Sequence, residues 1–224
     1  AQIVFDNAHR ELQIRRGASH HNVFVARPGL DGTELRDVER TPVDLPSGRY
    51  LVYCGNPDGY QNLDLLWKAF RQVNRQMPEL KLLILTRASA EDFGQAALAA
   101  FEDGSAVFHQ YKNRQEMVSY LTCAEVGLST RVLSTGFPVK LISYLQLGLK
   151  AVACRSSVSA GHIPPGVWLC SASAQSFSQA ILEAVDTLVS GPALYQSFEI
   201  DDSMEAYRKA YDFAAAAAQS KNSI

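Results

Sequence analysis

The stretch from Ser134 to Cys154 holds the residue types that favour binding of an anion. Pro138 suits the first turn of a helix, because its missing N–H would have no partner there, and Gly148 suits the residue just past a helix end. We therefore predict a helix from about Pro138 to Leu147, with Lys140 in its first turn. Free backbone N–H groups and the positive end of the helix dipole attract anions, and the Lys140 ammonium adds a full charge.

The elements around this helix alternate between short apolar runs and amphipathic helices. Because parallel neighbours need long connections, this alternation predicts a Rossmann-like α/β domain with a parallel six-stranded sheet and helices on both faces. One helix is predicted to start at Ser89 as its N-cap and to run to about Glu102. The predicted strands are 49–54, 80–85, 106–110, 125–129, 150–154 and 167–170.

The loops after the predicted strands carry a set of polar side chains. Ligands of parallel sheets bind outside the carboxyl ends of the strands, where these loops lie. Two arginines and two lysines around a helix N-terminus, in a chain with a net charge of −2, favour a diphosphate ligand. For any one of these residues, a solvated loop side chain is the alternative interpretation. The set is Asn56, Gln61, Arg87, Tyr111, Lys112, Arg131, Thr135 and Lys140.

The chain divides into four segments. Residues 1–31 contain a strand, a helix and a second strand that ends in a turn at Pro28. Residues 32–48 are charged, contain two prolines and show no sustained period, so they are predicted to form a linker. Residues 49–200 form the predicted sheet domain, and 201–224 form an Ala-rich C-terminal helix.

Composition argues against several classes of protein. The 224 residues are 47% hydrophobic and 20% charged, and the isoelectric point near 6.2 offers no general attraction to nucleic acid or anionic lipid. No run approaches the ~20 apolar residues of a membrane span. The chain begins with Ala1 and shows no signal pattern, so we interpret it as a piece of something longer.

The cysteines and histidines are scattered singly, apart from the adjacent His20 and His21. The four cysteines show no Cys-x-x-Cys spacing and no spacing with histidine that is typical of metal ligands. We therefore expect buried free thiols, a reducing compartment and no metal site.

The segment from Gly136 to Val152 also resembles a known family. It reads Gly-Phe-Pro-x-Lys-Leu-x-x-Tyr-x-x-Leu-Gly-x-x-Ala-Val, which is similar to the donor-site segment of GT-B-fold group 1 glycosyltransferases. In that family the amides of the helix N-terminus hold the diphosphate of a nucleotide-sugar. The resemblance implies that 49–200 is the C-terminal, donor-binding half of a GT-B fold. It also implies that 1–31 is the end of the N-terminal, acceptor-side half, which is a second α/β domain.

The resemblance assigns roles to individual positions, and the chain diverges at several of them. The family usually has an arginine and a lysine where Asn56 and Gln61 stand, and a glutamate where Thr135 and Ser143 stand. Tyr111 and Ser143 would bind the nucleoside, Thr135 would lie on the donor-sugar side, and no catalytic residue is assigned. The implied diphosphate-binding residues are Asn56, Gln61, Arg131, Gly136, Phe137 and Lys140.

The resemblance implies a glycosyltransferase that moves a sugar from a nucleotide-diphosphate sugar to an acceptor glycan or lipid-linked saccharide. It implies a role in glycan or polysaccharide biosynthesis in the cytoplasm, with no metal or other cofactor and no nucleic-acid partner. It further implies peripheral membrane association through the other half, without which the chain would be inactive. The alternative is a non-catalytic GT-B-like binding module, since charged residues of the family pattern are missing. A third option is a sugar-nucleotide epimerase of the same fold, for which we find no acid–base pair of carboxylates.

Overall fold

The structure is a computed structural model that describes residues 1–4, 7–26, 35, 38–132, 138–158, 165–188 and 200–221. The first elements are strand β1 (Gln2–Val4), helix α1 (Asn7–Arg15) and strand β2 (Val23–Val25). The two strands pair in parallel and form a small sheet of their own.

The larger sheet is built from six strands that alternate with helices. Its strands are β3 (Arg49–Cys54), β4 (Leu80–Thr86), β5 (Ala106–Gln110), β6 (Val126–Ser129), β7 (Lys150–Cys154) and β8 (Val167–Cys170). The helices are α2 (Leu63–Gln76), α3 (Gln95–Glu102), α4 (Arg114–Leu121), α5 (Val139–Gln146), α6 (Ala174–Asp186) and α7 (Ile200–Lys221).

The strand order β5-β4-β3-β6-β7-β8, with every pair parallel, confirms the predicted sheet. From β3 the chain first winds outward to β4 and β5, then returns to place β6 on the other side of β3. This reversal is a topological switch point, where open α/β sheets form a crevice for ligands at the carboxyl ends of the strands.

Buried side chains cover both faces of the sheet. One cluster contains Phe70 of α2 and Phe177 of α6, and the other contains Tyr120 of α4 and Tyr144 of α5. The strands are apolar on both sides because both sides face helices, as expected for a parallel sheet. The prediction of helices on both faces is confirmed.

The helix predicted from Ser89 to Glu102 is wrong at its start. A single 3₁₀ turn, Glu91–Phe93, is followed by Gly94 at φ +82°, and α3 begins only after it. The Ser89 hydroxyl donates a hydrogen bond to Asp92 Oδ2 at 2.9 Å and does not cap a helix. The positive φ of Gly94 interrupts the helical backbone that the sequence pattern favoured.

The segment 38–48, part of the predicted linker, packs against the sheet domain. The backbone N–H of Thr41 donates to Ser119 Oγ at 2.9 Å, and the Tyr50 hydroxyl donates to the carbonyl of Pro46. Val43 and Leu45 are partly buried against the cluster that contains Tyr120 and Tyr144.

The last helix returns to the first sheet. Helix α7 contacts β2 and β1, and the ring centroids of Phe213 and Phe24 lie 5.7 Å apart. The two ends of the chain therefore share one packing surface. No helix in the described ranges is long and apolar enough to cross a membrane.

The four cysteines are free, as expected, but their burial differs. Cys154 and Cys170 are buried, Cys54 is half-buried and Cys123 is exposed. The expectation of a buried thiol is wrong for Cys123, which lies just past the end of α4 where the chain turns at the surface.

Candidate functional site

The candidate site lies at the switch point, between the carboxyl ends of β3 and β6. Gly55 and Asn56 follow β3, and Thr130 and Arg131 follow β6. The two strands are direct neighbours, so these residues form the two sides of one crevice.

Gln61 joins the two sides of this crevice. It ends the 3₁₀ turn Gly59–Gln61 and is only 6% exposed. The Thr130 hydroxyl donates to the backbone carbonyl of Gln61 at 2.6 Å, and Lys140 Nζ donates to Gln61 Oε1 at 2.9 Å. Gln61 therefore fixes the lysine of α5 at the end of β3.

The Lys140 ammonium is enclosed by a ring and by backbone. Its Nζ lies 4.3 Å from the centroid of the Tyr53 ring, and a Cβ added to Gly55 would come within 3.1 Å of it. Gly55 has φ +149°, a backbone conformation that favours glycine. Because glycine has no side chain, it also leaves space for the Lys140 amine. No described carboxylate forms an ion pair with Lys140.

Burial lowers the pKa of Lys140 to about 8, and the nearby charge of Arg131 acts in the same direction. The charges of Cys54 and Asp58 act in the opposite direction and are weaker than burial. A cation with a depressed pKa and no carboxylate partner among the described residues would be stabilised by an added anion.

Tyr144 positions the helix that carries Lys140. Its hydroxyl accepts a hydrogen bond from the Cys54 N–H at 2.9 Å and donates one to the Leu128 carbonyl at 3.4 Å. Its ring lies against Gly127, where an added Cβ would be 2.2 Å from Tyr144 Cδ2. The sequence pattern placed Tyr144 in an apolar stripe, which is correct, but gave no sign of its bonds to β3 and β6.

Asn56 is exposed and bonded towards β4. Its carbonyl accepts from the Tyr53 hydroxyl at 3.1 Å, and its Oδ1 accepts from the Thr86 hydroxyl at 3.3 Å. Asn56 thus lies at the same edge as Lys140, with its side chain bonded to the next strand.

Tyr111 and Arg87 form a second group, at the ends of β5 and β4. The Arg87 guanidinium lies over the Tyr111 ring at 5.3 Å, and Gln110 Nε2 donates to the Arg87 carbonyl at 2.9 Å. Burial raises the pKa of Tyr111, and the neighbouring Arg87 partly offsets this. The pair offers an aromatic and a cationic surface beside the crevice.

Arg131 lies near an aromatic residue that the sequence did not indicate. Its guanidinium is 5.6 Å from the centroid of the Tyr60 ring, which is half exposed. Tyr60 belongs to the same turn as Gln61, and only the fold brings that turn to the end of β6.

The remaining residues of the predicted site are partly outside the described ranges. Ser143 is half-buried on α5, one turn after Lys140. Thr135, Gly136 and Phe137 lie outside the described residues, so their roles stay predictions. Within the described part of the chain, no group of three or more His, Cys, Asp or Glu side chains could hold a metal ion.

A doubly wound parallel sheet with a cationic, aromatic-lined crevice at its switch point defines a Rossmann-like class of α/β domain. Residues 48–187 match the family model described as glycosyl transferases group 1. The chain therefore belongs to this family, which confirms the resemblance seen in the sequence.

Solved structures share the fold at low sequence identity. A glycosyltransferase from Rickettsia africae matches with a TM-score of 0.68 and 11% identity, over 94% of this chain and 58% of its own. The trehalose 6-phosphate synthase of Burkholderia multivorans matches with a TM-score of 0.70 and 13% identity, over 96% and 60% of the two chains. HepE from Anabaena, solved in complex with UDP and glucose, matches with a TM-score of 0.63 and 10% identity, over 99% and 63%.

The chain thus spans about six-tenths of the length of these structures. No curated protein sequence matches it.

Proposed function

We propose that the chain is the donor-binding half of a glycosyltransferase, and that it binds a nucleotide-diphosphate sugar in the crevice between β3 and β6. The observation that carries this proposal is the enclosed Lys140 ammonium, which contacts a neutral amide oxygen and a ring. A diphosphate would supply the missing negative charge in an environment where charge-assisted hydrogen bonds are strong.

Transfer of the sugar would create negative charge close to the cationic groups of the crevice. When the bond between sugar and diphosphate breaks, negative charge develops on the departing diphosphate. Lys140, Arg131 and the N-terminus of α5 would stabilise that charge, so the proposed chemistry needs no metal ion. Asn56 and Gln61 would add neutral contacts in place of the usual basic pair.

The other proposed contacts follow from the positions that match the family. Tyr111 would lie beside the base with Arg87 against its ring, and Ser143 would bond the ribose. Gly136 and Phe137 would offer backbone amides to the diphosphate, and Thr135 would lie next to the donor sugar. We propose that the sugar is transferred to an acceptor glycan or a lipid-linked saccharide, as part of polysaccharide biosynthesis in the cytoplasm. We also propose that the acceptor-side half of the protein associates with the membrane.

Calorimetric titration with UDP tests the anion site. We expect Lys140→Met to weaken binding by roughly ten- to a hundredfold, because one charge-assisted hydrogen bond is worth about 1.5–3 kcal/mol. Lys68→Met is the matched control, since Lys68 is exposed on α2 and pairs with Asp64. Equal UDP affinity in the Lys140 variant and the wild type would place the anion elsewhere.

The chain alone should bind the donor but not transfer its sugar. About four-tenths of each solved structure has no counterpart in this chain. We propose that the acceptor site lies in that unmatched part. Incubation of the chain with a nucleotide-sugar and candidate acceptors should therefore yield no transfer. Transfer by this chain alone would contradict the two-half arrangement.

A second candidate function is a non-catalytic GT-B-like module. It is favoured by the neutral Gln61 and Ser143 at positions where the family has charged residues, and by the use of Gln61 Oε1 to hold Lys140. Such a module would not bind nucleoside diphosphates. Absence of UDP and GDP binding at millimolar concentration, in a chain shown to be folded, would support the module and exclude the transferase.

A further inference from the structure

Two cysteines that are sixteen positions apart in sequence become direct neighbours in the sheet. Cys154 ends β7, Cys170 ends β8, and the two residues are partners in the strand register. Both are buried, at 0% and 6% exposure, in the cluster that also contains Phe177 of α6. Their side chains therefore lie on the same face of the sheet, under the same helix.

We propose that Cys154 and Cys170 form a redox-active dithiol that a peroxide closes to a disulfide, and that closure weakens anion binding in the crevice. The second half of this proposal rests on the proposed function, whereas the first half does not.

The geometry of neighbouring strands permits the bond. Strands in a sheet lie about 4.8 Å apart, and the Cα atoms of a disulfide lie about 4.4–6.8 Å apart. The Cβ atoms must approach more closely than in a regular sheet, which adds strain. Strand β8 is at the edge of the sheet and can move to make this approach. A strained disulfide is easier to reduce, so the closure should be reversible.

A surface groove reaches Cys170, one of the two cysteines. The groove, of about 400 Å³, lies between β8 and α6, and Cys170 is part of its lining. The other lining side chains include Ser173, Ser176, Gln179 and Glu183, so the groove is polar enough to admit a small peroxide.

The two sulfur atoms differ in their readiness to react. The neighbouring Cys170 side chain lowers the pKa of the Cys154 thiol, and Cys154 raises the pKa of Cys170. The thiolate is the nucleophile, so Cys154 is the attacking sulfur. Cys170 also lies 3.5 Å from the Ala153 carbonyl, which keeps it beside its partner.

The chemistry then follows in two balanced steps. The Cys154 thiol first loses its proton to solvent, and its sulfur then attacks a peroxide oxygen, so that a sulfur–oxygen bond forms and the oxygen–oxygen bond breaks. The departing hydroxide takes the Cys170 proton and leaves as water. The Cys170 sulfur next attacks Cys154, the sulfur–sulfur bond forms, and the hydroxyl group leaves as a second water after it takes a proton from solvent. Two thiols are oxidised and one peroxide is reduced.

A short chain of contacts connects the pair to the anion site. Cys154 Sγ donates to the Thr130 carbonyl at 3.8 Å, and the Thr130 hydroxyl donates to the Gln61 carbonyl. Gln61 in turn holds Lys140 through its Oε1. A disulfide removes the Cys154 proton and draws the sulfur towards β8, so Thr130 loses this contact.

Peptide mapping tests the dithiol without any ligand. The chain is treated with hydrogen peroxide, alkylated under denaturing conditions and digested. We expect a linked Cys154–Cys170 peptide that dithiothreitol removes, in the wild type and in Cys123→Ser, which lacks the exposed thiol. Cys170→Ala and Cys154→Ala should give no linked peptide. Oxidation confined to Cys54 and Cys123 in the wild type would overturn the proposal.

UDP titration of the reduced and oxidised chain tests the coupling. We expect several-fold weaker binding after oxidation in the wild type and in Cys123→Ser, and no change in Cys170→Ala. A linked peptide with unchanged UDP affinity would overturn the coupling. If the reduced wild type binds no UDP, the proposed function fails, while the mapping still decides whether the dithiol closes.

Discussion

At the scale of single residues, the partners that the structure describes for Lys140 hold its ammonium without forming an ion pair with it. Gln61 Oε1 and the Tyr53 ring position the ammonium but do not neutralise it. A carboxylate at position 61 would form an ion pair with Lys140 and compete with a ligand anion. The neutral amide therefore keeps the cation available, and it explains how a chain without the usual loop lysine can still present a positive charge at this point.

Anion affinity should depend on pH because only the ammonium form of Lys140 attracts a diphosphate. Its pKa in the free chain is about 8, which is below its ordinary value. UDP affinity should therefore be highest below pH 8 and should fall as the pH rises through 8. The diphosphate of UDP is almost fully ionised above about pH 7, since the second pKa of a phosphate is about 6.

Titration calorimetry from about pH 7 to pH 9.5 measures this dependence. In Lys140→Arg the fall should be absent, because the guanidinium keeps its proton over this range. A wild-type affinity that does not change between these limits would show that Lys140 does not contact the ligand.

Ser143 separates the transferase from the non-catalytic module. It is half-buried on α5, where a hydroxyl offers one neutral hydrogen bond to a ribose and a carboxylate would accept two stronger ones. In a transferase, Ser143→Glu should tighten UDP binding by roughly five- to 150-fold, equivalent to ~1–3 kcal/mol. In a module with a closed crevice, the same change would bury an unpaired carboxylate and lower the melting temperature. Calorimetry and thermal unfolding of this variant read out both results.

At the scale of elements, the distance between α5 and β6 sets the position of Lys140. Only glycine fits at position 127 of β6, since the Cβ of any other residue would overlap the Tyr144 ring. The Tyr144 hydroxyl then bonds to both β3 and β6, the two strands that border the crevice. The packing of one aromatic residue thus connects the core to the site.

Gly127→Ala should destabilise the sheet domain. The added Cβ would lie 2.2 Å from Tyr144 Cδ2, so α5 must shift or the ring must leave its rotamer. Overpacking of this kind costs about 1–3 kcal/mol, or roughly 2–10 °C in melting temperature. Gly59→Ala is the matched control, because nothing lies within 4 Å of its added Cβ. Equal melting temperatures for the two variants would contradict the close packing of α5.

At the scale of the whole molecule, α7 brings the two ends of the chain together. The β1–β2 pair is too small to be stable alone, since an isolated two-stranded sheet is marginal in water. Helix α7 covers it, with Phe213 against Phe24. The crevice lies on the other sheet, so the two regions should respond separately to mutation.

Phe213→Ala should loosen the small sheet without changing the anion site. We expect faster hydrogen exchange in β1 and β2, because the substitution removes the aromatic contact with Phe24, while UDP affinity stays the same. Tyr211→Ala is the control, since Tyr211 is 75% exposed on the same helix. Unchanged exchange in β1 and β2, or a loss of UDP affinity, would contradict this separation.

The sequence by itself determined the larger sheet and the residue that anchors the site. The alternation of strands and helices predicts a parallel sheet. Pro138 and Gly148 mark the two ends of the helix that carries Lys140 to within about two residues. These features are local, because they depend on residues within one turn or one strand of each other. The start of α3 was missed although Gly94 is also local, because the sequence pattern does not show that the Gly94 backbone takes a positive φ.

Only the tertiary structure decided which distant residues meet. The bonds of Gln61 to Thr130 and Lys140 span 69 and 79 positions, and no periodicity in the sequence marks them. The same holds for Cys154 and Cys170, which look like isolated thiols until the register of β7 and β8 pairs them. Strand order is set by how whole helices pack on the sheet, and a pattern read along the chain carries no measure of that packing.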